Sequence, residues 1–230
     1  DIKNKIKSEE LQWPIRVEFN SSMNEFIVCT KKEVRFLDAD TGRLKKVYSG
    51  LLSNNEDDIT HFRMFQRNKK FILGDQRGNL GIYLYATGEL LQPMNSHSNE
   101  VSSVKIDYLN RLIISSGWDS SVQIQQEIKD KFKVKRKVTN CHFKKEISIM
   151  EVSVYHNLFI TAANRSNTLY LFDYEYIRLI GSIEIEEGAE PSTIQFINGY
   201  SIVVISTNIG TVHFIHFVRR DVTYIEMKQL

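Results

Sequence analysis

KFILGDQRGNLGIYLYATGELLQPM, residues 70–94, contains three short runs separated by two turns. KFILGD is almost continuously apolar, NLGIYLY alternates, and ELLQPM is a weaker run. Runs this short, rich in Ile, Leu and Tyr and punctuated by glycine, favour strands over helices. ITHFRMF, from Ile59, precedes them and also alternates, so the segment holds four strands. What four such strands build depends on whether the pattern recurs.

It recurs five times. Alternating runs opening near a β-branched residue begin at 17, 59, 101, 147 and 192. A second, apolar run follows each one: EFIVCT, KFILGD, RLIISS, LFITAA and SIVVIS. A third follows after a polar turn: EVRFLD, NLGIYLY, SVQIQ, TLYLFD and TVHFIHF. A fourth closes the unit: RLKKVYS, ELLQPM, FKVKRKV, RLIGSIEI and, most weakly, VTYIEM. The second run has the continuous apolarity of a strand buried on both faces, and the outer runs have the alternation of half-exposed strands. Four-stranded sheets repeated at roughly 40–45 residues predict an all-β propeller. Blades are expected over 14–53, 54–96, 97–141, 142–188 and 189–230, with residues 1–13 as a leader or preceding strand.

The repeat resembles the WD40 family. VRFLDADTGRL (34–44) is similar to that family's end of strand c followed by a Thr-Gly turn, and IYLYATGELL (82–91) has the same turn. The positions of the family's Trp-Asp pair hold Leu37-Asp38, Tyr83-Leu84, Gln125-Gln126, Phe172-Asp173 and Ile215-His216. The chain does contain Trp118-Asp119, in SSGWDSS (115–121), but aligning the units places it in the turn between the second and third strands. His97 lies four residues ahead of Val101, where the family has a loop histidine; His142 ahead of Ile147 is one residue longer. The resemblance therefore implies a buried hydrogen-bond network of His97, Ser115, Ser116 and Asp119. It leaves Trp118 as an exposed turn aromatic near a rim and a candidate partner contact.

Within the family, residues 70–107 together with LIISSGWDSSVQI and LYLFDYEYIRLIGSIEI look most like the propellers of ciliary and flagellar WD-repeat proteins, including those with EF-hands elsewhere in the chain. That likeness implies a protein–protein interaction scaffold, an architectural subunit of the axoneme with other proteins of a multi-subunit, microtubule-associated complex as partners. The alternative is a WD40 reader of a peptide mark or RNA through the rim of the propeller channel.

Composition narrows the classes. The chain has 230 residues, 25% charged and 42% hydrophobic, as a soluble globular protein would. A net charge of +2 supplies no global field to attract nucleic acid or an anionic membrane. No apolar run approaches the roughly 20 residues that span a bilayer. The start, DIKNKIKSEE, lacks both an initiator Met and the apolar core of a secretory signal, so a cytoplasmic location and an internal piece of a longer protein are expected. The five units would then belong to a ring of seven or eight blades; a closed five-bladed ring is the alternative. Cys29 and Cys141 form no CxxC motif and read as buried thiols rather than a disulfide. Asn20-Ser21-Ser22 and Asn164-Arg165-Ser166 match the glycosylation sequon only by chance if no signal precedes them.

Catalytic and metal readings fail on context. Ser115 or Ser116 with His97 and Asp119 has the residue types of a triad, yet no GxSxG elbow accompanies them. DADTG (38–42) begins like a calcium loop, but Ser49 stands where a bidentate Glu is needed. His213 and His216 fall on opposite faces of a predicted strand. GDQRGNLG (74–81) leads into a strand and not a helix, which excludes a phosphate-binding loop. Neither enzyme, metal nor cofactor is expected.

KDKFKVKRKV (129–138) would be an outermost strand whose lysines block edge-to-edge pairing. Lys131, Lys133, Lys135 and Arg136 are also candidate contacts for an acidic partner such as a tubulin tail or a nucleic-acid backbone. The acidic stretches NNEDD (54–58) and EIEEGAE (184–190) fall in loops between units, as solvated or partner-facing segments.

Overall fold

The computed structural model of the chain describes residues 13–65, 69–129, 131–197, 199–219 and 225–229. Among these there is no helix, and so none long and apolar enough to cross a membrane. The strands form five four-stranded antiparallel sheets, each built from consecutive strands. Sheet one is β1 (Pro14–Asn20), β2 (Glu25–Thr30), β3 (Glu33–Asp38) and β4 (Leu44–Ser49). Sheet two is β5 (Ile59–Phe65), β6 (Lys70–Asp75), β7 (Leu80–Leu84) and β8 (Leu90–Pro93). Sheet three is β9 (Val101–Asp107), β10 (Leu112–Gly117), β11 (Val122–Ile128) and β12 (Lys131–Val138). Sheet four is β13 (Ile147–Ser153), β14 (Leu158–Ala163), β15 (Thr168–Asp173) and β16 (Leu179–Glu184). Sheet five is β17 (Pro191–Phe196), β18 (Ile202–Thr207), β19 (Val212–Arg219) and β20 (Ile225–Gln229). This is the all-β, blade-like organisation that the repeat predicts.

Two compact units divide the chain, Asp1–Val101 and Ser102–Leu230. In the first unit, sheets one and two bury a common slab that includes Ile27, Phe36, Phe62, Phe71 and Leu73. In the second, one slab joins sheets three and four through Ile114, Ile124, Ile147 and Phe159. Another joins sheets four and five through Leu158, Leu171, Ile194, Ile205 and Phe217. The second strands explain the arrangement: β10 and β14 are buried at every position, because each lies inside its sheet and packs against an apolar slab, β14 against one on each side.

A bulge recurs at one place in four of the five sheets. Between the third and fourth strands the register shifts at Leu37, Tyr83, Gln125 and Phe172. These are the positions where the WD40 pattern has its Trp. Tyr83, Gln125 and Phe172 are buried there, so the polar Gln125 occupies an interior slot built for a large side chain.

Two sheets keep an apolar face in solvent. On sheet one Val17, Phe19 and Phe26 are exposed, and the Phe19 and Phe26 rings lie 5.3 Å apart. On sheet five Val212 and Phe214 are exposed in the same way.

The remaining local readings can be placed. The Asp38–Gly42 segment is a hairpin turn in which Asp38 Oδ1 accepts from Thr41 N at 2.9 Å and Thr41 Oγ1 at 2.8 Å. Those bonds, with Lys45, lower the Asp38 carboxyl to about 2. Cys29 and Cys141 are buried free thiols, and desolvation raises both, Cys141 to about 12. NNEDD is not a free acidic loop. Lys32 Nζ donates to the carbonyls of Asn55, Glu56 and Asp57, and the buried Asp57 carboxylate accepts from Arg77 Nε at 2.7 Å. The segment folds back on the basic residues beside it, which removes it as an open partner contact.

Candidate functional site

Within each unit, connections leave the sheets at two rims. One rim carries the turns between second and third strands together with the loops that join successive sheets; the other carries the remaining hairpin turns. In the second unit the first rim is organised around residues 117–121. Gly117 N donates to Ser121 O and Ser120 N to Gly117 O, closing a tight turn with Ser120 at φ 57°. Trp118 and Asp119 are its central residues, as the unit alignment expects. The same turn recurs at Asp75–Asn79 and Thr207–Thr211, with Gly78 and Gly210 at the left-handed position.

Asp119 Oδ1 accepts from Ser121 N at 3.1 Å and Ser121 Oγ at 2.7 Å, so the carboxylate caps its own turn. Ser115 and Ser116 are fully buried on β10, and Ser116 Oγ lies 3.1 Å from Ser102 Oγ. His97 is buried in the first unit, where its N donates to Gly78 O at 2.9 Å. Replacing Asp119 by Ala is expected to cost about 1–3 kcal/mol, the usual range for stranding polar partners. A thermal melt reads this, and an unchanged midpoint would count against the capping role.

The loop after β12, residues 139–146, is anchored by two buried side chains. Cys141 N donates to Ser120 O at 2.9 Å and His142 N to Ser120 Oγ at 3.3 Å. The His142 ring places Nε2 2.8 Å from Thr161 Oγ1 on β14 and packs edge-on against Tyr170 at 4.7 Å. A loop histidine paired with a second-strand hydroxyl is what the resemblance implies for His97; sheet four makes that pair with His142 and Thr161. The extra residue in the spacing concealed it. The loop absorbs the length at Phe143 and Lys144, both left-handed at φ 50° and 68°.

Burial drives the His142 imidazole down to about 4 from 6.5, with Lys145 acting in the same direction. A depressed folded value means that the unfolded chain binds more protons between pH 6.5 and 4. The resulting stability is complete above pH 6.5 and drains away as pH falls toward 4, by on the order of 2 kcal/mol. Urea midpoints at pH 7 and 4.5 check this. His142→Asn should lose stability at pH 7 and show a shallower fall with acid than the parent chain.

With its ends fixed, the loop presents Phe143, Lys144 and Lys145 to solvent. Trp118, half-buried rather than exposed, lines an open cavity of about 750 Å³ with Lys144, Lys145, Glu146, Asn164, Arg165 and Glu190. Two of these groups are already engaged: Glu146 accepts from Asn164 Nδ2 at 3.0 Å and Glu190 from Arg165 N at 3.2 Å. The cavity thus offers one indole face, three cations and two carboxylates, the chemistry of a mixed polar protein contact.

The basic strand predicted at 129–138 is β12, which begins at Lys131 and is the edge of its sheet, with Lys131, Lys133, Lys135 and Lys137 exposed and Arg136 half-buried. Lys135 and Arg136 also line a second cavity of about 390 Å³, on the other rim, with Asn157, Tyr174 and Glu175. Around that rim Tyr108, Leu109, Tyr155, Tyr176 and Tyr200 stand exposed, each on a hairpin turn. Sequence patterning gave no sign of this collar, because each turn holds only one or two large side chains. Among the described residues no group of three or more His, Cys, Asp or Glu could hold a metal ion. His213 stands 2.6 Å from the Glu186 carboxylate.

No protein-family model matches the chain. It is 22% identical over 199 residues to "Cilia- and flagella-associated protein 337 B" of Tetrahymena thermophila. The match covers 86% of this chain and 15% of that protein, so the chain corresponds to a small part of the relative's length. Taken with five repeated four-stranded sheets, the similarity fits a β-propeller-like protein.

Proposed function

We propose that the chain is a non-catalytic protein-interaction platform of a ciliary or flagellar assembly, a WD-repeat segment whose partners are other proteins of the axoneme. The observation that carries this reading is the extent of the match to the cilia- and flagella-associated relative, which runs through 86% of the chain rather than through one sheet. Stacked sheets joined by apolar slabs form stiff scaffolds that hold rim side chains in place. A non-catalytic role is supported by the burial of the hydroxyls that sequence could nominate as nucleophiles, Ser115 and Ser116, each with no exposed surface. The apolar outer faces of sheets one and five have the chemistry that further sheets of a longer propeller would cover.

The second reading, a reader of a peptide mark or RNA, rests on the rim cavity beside Trp118. Its single indole and matched carboxylates support it less well than an aromatic cage or an unopposed basic cluster would.

The test is to tag the full-length protein in its own cells, isolate cilia and extract them with detergent. Retention in the axonemal fraction with structural subunits is the expected result. Recovery instead with histones or RNA-processing factors would overturn the proposal.

A further inference from the structure

The fourth strands of the sheets form edges, and they differ in how their exposed groups are matched. On β4, Lys45 lies 3.4 Å from Glu25 and 3.2 Å from Asp38, and Lys46 sits over the Tyr85 ring and donates to Tyr85 O. β8 is four residues long and ends in Pro93, which cannot donate to a further strand. β16 carries no cation. β12 is unlike all three. It is eight residues long and pairs on one side with β11. Its five cations, Lys131, Lys133, Lys135, Arg136 and Lys137, have no side-chain hydrogen bond or ion pair among the described residues.

Lysines and a bulge on an edge strand hinder pairing with a like-charged strand, and β12 has both; an acidic strand is the one such an edge admits. Lys131 and Lys133, alternate residues of the strand, are about 7 Å apart, within a Debye length of about 8 Å at physiological salt, so they repel each other, and Lys135, Arg136 and Lys137 follow at the bulge and beyond it. The accumulation is unfavourable in the free chain and is relieved when negative charge lies along it. An exposed strand edge with free backbone groups accepts an extended peptide as an added strand. The Lys135 and Arg136 side chains also border the cavity that contains Asn157, Tyr174 and Glu175, a recess large enough for one anchoring side chain, where Glu175 is the one carboxylate in the lining.

We infer that β12 is a docking edge for an acidic, extended polypeptide segment of about eight residues, which adds to sheet three as a fifth strand, carboxylates facing the lysines. The inference deepens the platform reading and rests on it.

The experiment uses the 230-residue chain and a fluorescein-labelled ten-residue peptide alternating Glu with Val and Thr. A peptide with every Glu replaced by Gln and a ten-nucleotide oligouridine serve as comparisons. The acidic peptide is expected to bind saturably, at least tenfold more tightly than the Gln peptide. Raising salt from 50 to about 300 mM should weaken it several-fold, because exposed charges are screened. Lys133→Glu/Lys135→Glu should lose at least tenfold in affinity, whereas Lys144→Glu/Lys145→Glu on the other rim should keep it. Hydrogen exchange on the parent chain, independent of any variant's folding, should show slowed amides within 131–138 when peptide is added. Unslowed amides, equal loss in both double variants, equal binding of the Gln peptide, or tighter binding of oligouridine each overturns the edge. Absence of peptide binding while the tagged full-length protein stays in the axoneme removes the docking edge and leaves the platform reading standing.

Discussion

Phe71→Ala is expected to remove about 4 kcal/mol of stability, a large share of the roughly 5–15 kcal/mol that holds a folded protein together. Phe71 is fully buried on β6, at the middle of the slab between sheets one and two. Its ring stacks on Tyr83 at 5.3 Å with an 8° interplanar angle, tilts against Phe62 at 5.6 Å and lies 6.4 Å from Tyr48. Truncation loses the transfer energy of the ring and these ring contacts, and it leaves a cavity. Strands on both sides of the slab are held by hydrogen-bonded ladders and cannot collapse to fill it. The melting temperature should fall by roughly 8–16 °C. Phe71→Leu, which keeps most of the volume, should cost less than half as much. Tyr155, 81% exposed, should tolerate Ala within about 0.5 kcal/mol. Equal effects at Phe71 and Tyr155 would mean that the slab is not the core.

Gly78→Ala is the second large effect, for a different reason. Gly78 adopts φ +91°, where a side chain costs about 1–2 kcal/mol of backbone strain. A Cβ there would also come within 2.4 Å of Asn99 O and 2.5 Å of His97 O. These are backbone atoms of the loop that closes over the turn, and that loop is held there by the His97 N–H bond to Gly78 O. The loop must move or the turn must open, so the total is expected near 3 kcal/mol. Gly210 supplies the control. It occupies the same turn position in sheet five at φ +88°, with nothing within 4 Å of a Cβ. Gly210→Ala should therefore show the strain alone, and the difference between the two melting temperatures isolates the contact with the 97–99 loop. Identical losses would remove that contact from the explanation.

Strand positions were legible because each is a local property. EFIVCT, KFILGD, LFITAA and TLYLFD coincide with β2, β6, β14 and β15 residue for residue. Of the weakest run, VTYIEM, residues 222–224 lie outside the described residues and the last three fall on β20. The turn position of Trp118-Asp119 was legible too, because it depends only on alignment with neighbouring units. The pairing of His142 with Thr161 was obscured by one residue of loop length, although a strand-b threonine and a histidine ahead of the next strand were both in view.

Charge partners were not legible. Lys105 meets Glu151 across two sheets, and Arg63 meets Glu18 at 3.1 Å from a strand 45 residues earlier. Residues 54–58 looked like an acidic loop open to partners until Lys32 was found folded into them. The lysines of β12 read as edge protection, and only the folded neighbours show that they form no ion pair among the described residues.

Repeat period, strand count and turn chemistry thus follow from the chain alone, since backbone propensity and side-chain alternation act over a few residues. Which faces are buried, which cations are left unopposed and how Trp118 comes to line a cavity follow from the stacking of one sheet on the next. That stacking joins residues some 45 positions apart, and no local pattern encodes which side chain will stand opposite another.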